Sequence, residues 1–541
     1  MMTSKPFYFT NRNDLLDKMR NGDTCDWDII IVGGGITGAG ILREAVRSGY
    51  RALLLEQKDF AWGTSSRSSK MVHGGLRYLA SGDMKLTRHS LKERERLLRE
   101  APGLVDRMDY YFTLRKGVFP GRWIFSTLLW AYDKIAGIKN HRYYNKDQLR
   151  KKFDGINPDG LNGACCYTDA VTDDARLVLR VLQESIACGG SALNYTRVSN
   201  LLIEDGQVHG VELEDSDNDT VLTIRAPVVI NATGAWADRL RNNVNMEKRV
   251  RPLRGSHLIL PKLRLPVSDV LALFHPKDKR SVFIYPWEGA TIVGTTDLDH
   301  HDDLNIEASI TKQEVDYLLQ VIHSEFPQQY ISRADIISTY AGIRPVIGSE
   351  KSKDPSKERR DHAVWTDKGL VTVSGGKLTT FRLIALDTLA KAQANLPEPR
   401  RNVDDHIFKL PIIKPETLSP DDLTWGQRLL GRYGDVAKEL LAQASLQERQ
   451  RICGTAFTLA ECRWAIRYEA VEHLDDLLLR RTRLGLLLDN GGEQLFDVLQ
   501  RIFADELGWN KQYWDVELIR YQKIINDYYA LHNAGDTNEN K

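Results

Sequence analysis

Long apolar runs are missing from this 541-residue chain. No stretch approaches ~20 uninterrupted apolar residues, so no membrane-spanning helix is expected. The segment from Met1 to Arg20 also lacks the apolar core of a secretory leader. An excess of one charge is missing too. Lys and Arg (74) balance Asp and Glu (73), so no global field argues for nucleic acid as a partner. Cysteine is scarce. The six, at positions 25, 165, 166, 188, 453 and 462, form no C-x-x-C pair, which removes the usual zinc and dithiol signatures and leaves no metal expected. In a chain this long they read as reduced thiols of a cytoplasmic protein, with the vicinal Cys165-Cys166 pair buried rather than redox-active. What remains is an ordinary globular composition, 42% hydrophobic and 27% charged, in a chain long enough for two or three domains.

What the chain does contain is a strand–turn–helix–strand pattern over 28–56. Residues 28–32 are a short apolar run that reads as a buried parallel strand. Gly33-x-Gly35-x-x-Gly38 then supplies a turn and opens a helix. Gly33 permits the turn, Gly35 lets a pyrophosphate approach the backbone, and Gly38 lets helix and strand pack closely. The helix start at Ile36 and Thr37 offers unpaired amides to phosphate. The second strand, 51–55, ends in Glu56, 18 positions past Gly38. That is close to the ~20 expected of a carboxylate accepting from ribose hydroxyls. The motif alone does not separate FAD from NAD.

Downstream, residues 63–78 form a loop rich in hydroxyls and glycines, including Thr64, Ser65, Ser66, Ser69, Met71, His73, Arg77 and Tyr78. Its amides and hydroxyls suit a pyrophosphate or a polyol. Residues 84–100 read as a charged helix with a solvated face. Residues 118–138 carry Trp, Phe, Leu and Ile at helical spacing beside Arg and Lys. This fits either an interfacial membrane helix or a helix packed on its own domain. Strands are expected at 195–198, which includes Val198, and at 227–232, which runs into a small-residue turn at Gly234. Recurrent β-like segments over 250–300 predict an antiparallel sheet beside the dinucleotide fold. Arg344 is expected in a Gly- and Pro-framed loop. The strand 370–374 leads into Gly375-Gly376-Lys377-Leu378-Thr379-Thr380, a second glycine turn at a helix start and a second site for negative charge. The predicted architecture is α/β: a tail over 1–27, then a Rossmann-like domain over 28–395. An antiparallel-sheet substrate domain (about 96–160 and 240–360) is interleaved with it. A proline-marked linker over 396–420 and a helical C-terminal domain over 421–541 follow, with a polar tail disordered from about Asn533.

These motifs, with Asn231-Ala232-Thr233-Gly234-Ala235-Trp236 and Gly255-Ser256-His257, together resemble the FAD-dependent glycerol-3-phosphate dehydrogenases, within the D-amino-acid-oxidase-like flavoproteins. The resemblance covers about residues 26–490. Its specific segments are His73-Gly74-Gly75-Leu76-Arg77-Tyr78 and the Gly375–Thr380 turn; the segment 479–485 looks like the family's helical cap. Two departures stand out. Leu42 replaces a residue that is often small, and a charged insert, Lys351 to Arg360, makes Arg360 rather than Arg359 the choice for a second phosphate-side arginine.

The resemblance implies oxidation of sn-glycerol 3-phosphate to dihydroxyacetone phosphate, with the C2 hydride passing to the flavin and the hydroxyl proton to a base. It implies Arg77, Tyr78, Arg344 and Arg360 at the substrate, where guanidinium forks match phosphate oxygens. His257 is the implied base, with His73 nearer the flavin. Lys377 and the Leu378 and Thr379 amides would supply positive charge to the flavin, or Lys377 would bridge flavin and substrate. FAD contacts are implied for Gly33, Gly35, Ile36, Thr37, Gly38, Glu56, Thr64, Ser65, Ser66, Ser69, Met71, His73, Val198 and Gly234. Electrons would pass to a membrane quinone from a chain held peripherally on the inner face of the cytoplasmic membrane, or to oxygen. A homodimer is admitted. An amine or amino-acid oxidase of the same superfamily and a non-catalytic FAD-binding docking module stay open as alternatives.

Overall fold

The computed structural model describes residues 12–21, 27–76, 79, 82–215, 220–348, 362–399 and 406–531. Arg77, Tyr78, Arg360 and the tail from Asn533 therefore lie outside the described residues. A six-stranded sheet runs in the order His362–Asp367, Leu370–Gly375, Val228–Asn231, Ile29–Val32, Ala52–Leu55, Ser191–Leu193. All neighbours are parallel except the first pair. Ile29 and Ile31 face the helices Ile36–Arg47, Asp174–Ala187 and Phe381–Ala392, whereas Ile30 and Val32 face a three-stranded sheet, Val198–Glu204, Gln207–Asp215 and Thr220–Arg225. A strand covered on both faces has no use for polar alternation, which is why its sequence is an unbroken apolar run. The strand expected at 195–198 begins only at Val198. Tyr195 instead takes a φ of +50° and donates its hydroxyl to Asp476.

A ten-stranded, mostly antiparallel sheet lies beside the first. Its long strand Val250–Pro261 pairs with Ser338–Ile347 and Ala290–Gly294. Leu258, Leu260, Ile284 and Val293 pack toward the helix Lys312–Glu325. Ile259, Tyr285, Ile292 and Tyr340 turn the other way, into a core shared with the C-terminal helices Leu459–Tyr468, Phe496–Leu507 and Lys511–Ile524. Arg344 sits within the strand Ser338–Ile347, opposite Leu253, not in a loop. Strand pairing aims it more firmly than a flanking glycine and proline would. Cys165 and Cys166 are buried in the strand Leu161–Thr172, and burial pushes the Cys166 thiol up to about 12.

One helix differs from expectation, and another keeps both expected alternatives open. Met84–Glu100 is not simply a solvated charged face: Glu93, Arg94, Arg96 and Glu100 are buried on it. Arg94 pairs with Asp169, and Glu100 accepts from the Ile407 amide at 2.7 Å. Arg122–Ala136 packs Phe125, Leu129 and Tyr132 inward, yet leaves Trp123 78% and Trp130 55% exposed, with Ile124 and the preceding Phe119. No helix among the described residues is long and apolar enough to cross a membrane.

The C-terminal region is fixed to the layer of the parallel sheet by buried ion pairs. Arg480 and Arg481 meet Asp59, Arg483 meets Asp173 and Asp174, and Arg176 meets Glu469. Such pairs add little net stability, because desolvation offsets their attraction, but an unpaired survivor is costly.

Candidate functional site

A cavity of about 1500 Å³ opens where the glycine turn, the loop after Glu56 and both large sheets converge. At the turn, Gly33 has φ +116°, and a β-carbon there would fall 2.6 Å from the Ala232 oxygen. One at Gly38 would fall 1.9 Å from the Gly33 oxygen, so helix and strand touch backbone to backbone. The helix start has no side-chain cap on its amides from Gly35, and Ile36 N donates to Ser65 Oγ at 3.0 Å. Glu56 accepts from the amides of Gly34 (2.6 Å) and Lys58 (2.9 Å). Burial pushes its carboxyl up, against the pull of those two amides. A helix start that Gly35 leaves without a side-chain cap, a wall cleared of β-carbons and an acid at the end of the next strand fit the pyrophosphate and ribose of a dinucleotide. The cavity also exceeds the ~300–1,000 Å³ of an ordinary ligand site, leaving room for a second, smaller molecule.

The loop that walls this groove is clamped from far away in sequence. Arg67 donates to the Tyr529 hydroxyl (2.9 Å) and pairs with Glu307, and Thr64 donates to the Ile343 oxygen. Arg483 and Lys70 both reach the Ser66 carbonyl. Lys70 is buried, which brings its ammonium down to about 8 even though Asp174 pairs with it at 3.0 Å.

Beyond the groove, Arg344 and Lys377 line the cavity, with Arg280. Arg344 stands 3.7 Å from Asp297, and Arg280 donates to the Asp297 carbonyl at 2.5 Å. His73 is on the wall, its Nδ1 3.6 Å from Asp169. Asp169 also accepts from Gly74 N and the Tyr132 hydroxyl, each at 2.9 Å. Burial would raise the Asp169 carboxyl, but the nearby His73 and the paired Arg94 guanidinium hold it below the usual range. His257 is buried, and its Nε2 lies 2.9 Å from Ser69 Oγ. Its ring stacks on Tyr340 with centroids 4.5 Å apart. Burial, then the charges of Lys70 and Arg344, push its pKa well below the ordinary histidine value, so the imidazole is neutral.

The cavity wall gathers most of the residues expected from sequence: Gly33, Gly35, Ile36, Thr37, Glu56, Thr64, Ser65, Ser69, Met71, His73, Val198, Gly234, Arg344, Lys377, Leu378 and Thr379. Three others stand off it. Gly38 lies behind the turn, where helix packing uses it. Ser66 turns its hydroxyl to the Gly63 oxygen at 3.4 Å. His257 sits behind Ser69. Sequence reasoning missed Asp169, Arg280, Trp62 and Trp236. It also missed an apolar lobe of Phe112, Phe119, Phe125, Leu128 and Phe283. An acid within the apolar strand Leu161–Thr172 was a usable signal for Asp169; Arg280 carried none.

Residues 28–385 match the family model described as FAD dependent oxidoreductase, and residues 418–513 match the C-terminal domain of alpha-glycerophosphate oxidase. The chain is similar to a glycerol-3-phosphate dehydrogenase of Mycobacterium leprae, 34% identical over 533 residues, covering 93% of this chain and 88% of that one. It is 36% identical over 391 residues to an aerobic glycerol-3-phosphate dehydrogenase of Staphylococcus haemolyticus, covering 70% and 69% of the two chains. Among solved structures, the glycerol-3-phosphate dehydrogenase from Bacillus halodurans complexed with FAD superposes with a TM-score of 0.77 at 26% identity, covering 98% of this chain and 100% of that one. Dinucleotide groove, interleaved sheets and helical C-terminal region thus agree with the matches along the chain, which belongs to the FAD-dependent oxidoreductases and, within them, to the glycerol-3-phosphate dehydrogenase family.

Proposed function

We propose that the protein oxidises sn-glycerol 3-phosphate to dihydroxyacetone phosphate with bound FAD, and passes the electrons to a quinone in a membrane on which it rests. The observation that carries this reading is one cavity that joins a dinucleotide groove to Arg344, Arg280 and Lys377. A phosphate dianion asks for several positive donors, whereas a carboxylate substrate is satisfied by one arginine. Bound FAD would supply the two-electron acceptor for the C2 hydride. The chain's own work is to hold and orient. The Gly33–Thr37 turn and Glu56 would take the pyrophosphate and ribose. Arg344, with Arg77 and Arg360, would hold the substrate phosphate, and Tyr78 would flank it. Lys377 and the amides of Leu378 and Thr379 would place positive charge beside the flavin ring. His257 is neutral and so able to take a proton.

The membrane part of the reading rests on the helix Arg122–Ala136. Its outer face presents Trp123, Ile124 and Trp130, with Arg122 and Lys134 beside the two tryptophans. Phe119, Phe125 and Leu128 of the same region line the cavity. An aromatic and basic face next to the cavity suits attachment to one leaflet, with a lipophilic acceptor entering from the bilayer. The deciding experiment is anaerobic. Glycerol 3-phosphate should bleach the flavin band near ~450 nm with formation of dihydroxyacetone phosphate, and a soluble quinone should restore it. An unchanged band overturns the substrate, and restoration by oxygen but not by quinone overturns the acceptor.

A further inference from the structure

His257 does not touch the cavity; Ser69 stands between them. Ser69 is on the wall, and its Oγ lies 2.9 Å from His257 Nε2. The other imidazole nitrogen, Nδ1, is buried and has no hydrogen-bond partner among the described residues. Leaving a buried polar nitrogen unpaired is unfavourable, which makes this histidine a poor choice for packing alone. The ring is also held in place. Tyr340 stacks on it, and Gly294 leaves room for it: a β-carbon there would fall 2.1 Å from His257 Cδ2. The serine backbone is fixed from behind, since the Tyr285 hydroxyl donates to the Ser69 carbonyl (2.8 Å) and the Tyr340 hydroxyl to the Ser68 carbonyl (3.1 Å). Lys70 Nζ lies 4.7 Å from the Tyr340 ring centre and 4.9 Å from that of Trp287.

We propose that Ser69 is a catalytic residue: its hydroxyl takes the proton of the substrate's C2 hydroxyl while passing its own proton to His257 Nε2. The inference rests on the oxidation of glycerol 3-phosphate proposed above. The C2–H bond breaks with its electron pair going to bound FAD, and the C2–O bond becomes a carbonyl. The hydroxyl proton ends on Ser69 Oγ, and the former serine proton ends on His257 as imidazolium. The relay uses the tautomer with Nδ1 protonated, in which Ser69 donates to Nε2. The charged groups acting on the ring are Lys70 and Arg344, and the titratable groups against it and the serine backbone are Tyr340 and Tyr285. Both cations disfavour imidazolium, so the proton is held briefly. With no acceptor at Nδ1, it leaves as it came, through Ser69 to water after the product departs.

The test is anaerobic single-turnover reduction of the FAD-loaded enzyme by glycerol 3-phosphate across pH, in wild type, Ser69→Ala, Ser69→Thr and Ser69→Cys. It is paired with binding of propane-1,3-diol monophosphate, which has the phosphate but no C2 hydroxyl, read from the shift of the flavin band. Ser69→Ala should slow reduction about 100-fold or more, within the range of a lost proton-transfer group. The same variant should lose the acidic limb of the rate profile and bind the analogue as tightly as wild type. Ser69→Thr should recover to within about tenfold of wild type. Ser69→Cys keeps the side chain's shape and should be slowed as well, which decides the matter should Ser69→Ala fail to load FAD. A wild-type rate and pH profile in Ser69→Ala or Ser69→Cys overturns the relay alone. So does equal loss of analogue binding and rate, which would make Ser69 a shaping residue. If wild-type flavin stays oxidised, the functional reading fails and the relay falls with it.

Discussion

At the scale of single residues, Arg344 bears on the substrate phosphate and Gly38 on the cofactor groove. Losing a charge-assisted hydrogen bond costs about 1.5–3 kcal/mol. Arg344→Ala should therefore raise KM for glycerol 3-phosphate roughly 10- to 100-fold while FAD stays bound, as steady-state kinetics and the flavin spectrum would report. Gly38→Ala should abolish FAD binding, because the new β-carbon would meet the Gly33 oxygen at 1.9 Å. A variant that retains yellow colour after gel filtration would contradict this. His257 gives a pH dependence of stability. Its folded pKa lies below the unfolded value of 6.5, so below about pH 6.5 the unfolded chain binds a proton that the fold refuses. Stability should fall as pH drops from 7 toward 5, by up to about 1.4 kcal/mol per pH unit, and His257→Gln should flatten that part of the urea-midpoint curve. Much of this site was legible in sequence where function is local: Gly33, Gly35 and Glu56 follow from a spacing that only backbone geometry explains. His257 was legible as a histidine beside a strand, but its partners were not, because Ser69 and Tyr340 are far away in the chain. Asp169 left a trace as an acid in an apolar strand, whereas Arg280 faces the cavity through tertiary pairing, which no short motif records.

Whole elements were read with mixed success, for a physical reason. The strands Ile29–Val32, Ala52–Leu55 and Val228–Asn231 were visible because burial on both faces forces an apolar run. Charged helices mislead, since Met84–Glu100 buries acids and arginines in pairs that composition cannot distinguish from solvated ones. The helix Arg122–Ala136 turned out to do two things, packing inward through Phe125 and Leu129 while keeping an aromatic outer face. Removing a large apolar contact from a membrane surface forfeits about 1.5–3 kcal/mol if the side chain is fully buried there. The double variant Trp123→Gln/Trp130→Gln should therefore weaken co-sedimentation with anionic vesicles by more than about tenfold. Flavin reduction by glycerol 3-phosphate in solution should not change. Equal vesicle binding by the variant and wild type would remove this helix from the membrane reading.

Across the whole molecule, the C-terminal helices are wired into the cofactor region by arginines that sequence gave no reason to bury. Arg483→Met should cost about 3–5 kcal/mol, since it leaves Asp173 and Asp174 short of a buried partner. A lower urea midpoint together with weaker FAD retention would report it; a change in neither would mean that Arg432 and Lys70 suffice. Burial opposes ionisation of Asp173, but Arg483 and Arg432 hold its carboxyl below the ordinary 3.8, so its contribution is complete above that value and is lost as pH falls below it. Among the described residues, the clamp between Arg67 and Tyr529 reaches furthest, spanning 462 positions. Ribosomes release a chain from its beginning, so the loop around Arg67 emerges long before Glu307, and longer still before Tyr529. The wall of the cofactor groove gains its last partner only when nearly all of the described chain has been synthesised. A ribosome-bound nascent chain ending short of Tyr529 could already tie that wall through Glu307, Ile343 and Arg483, and would lack only the Tyr529 hydroxyl that shares the Arg67 guanidinium with Glu307.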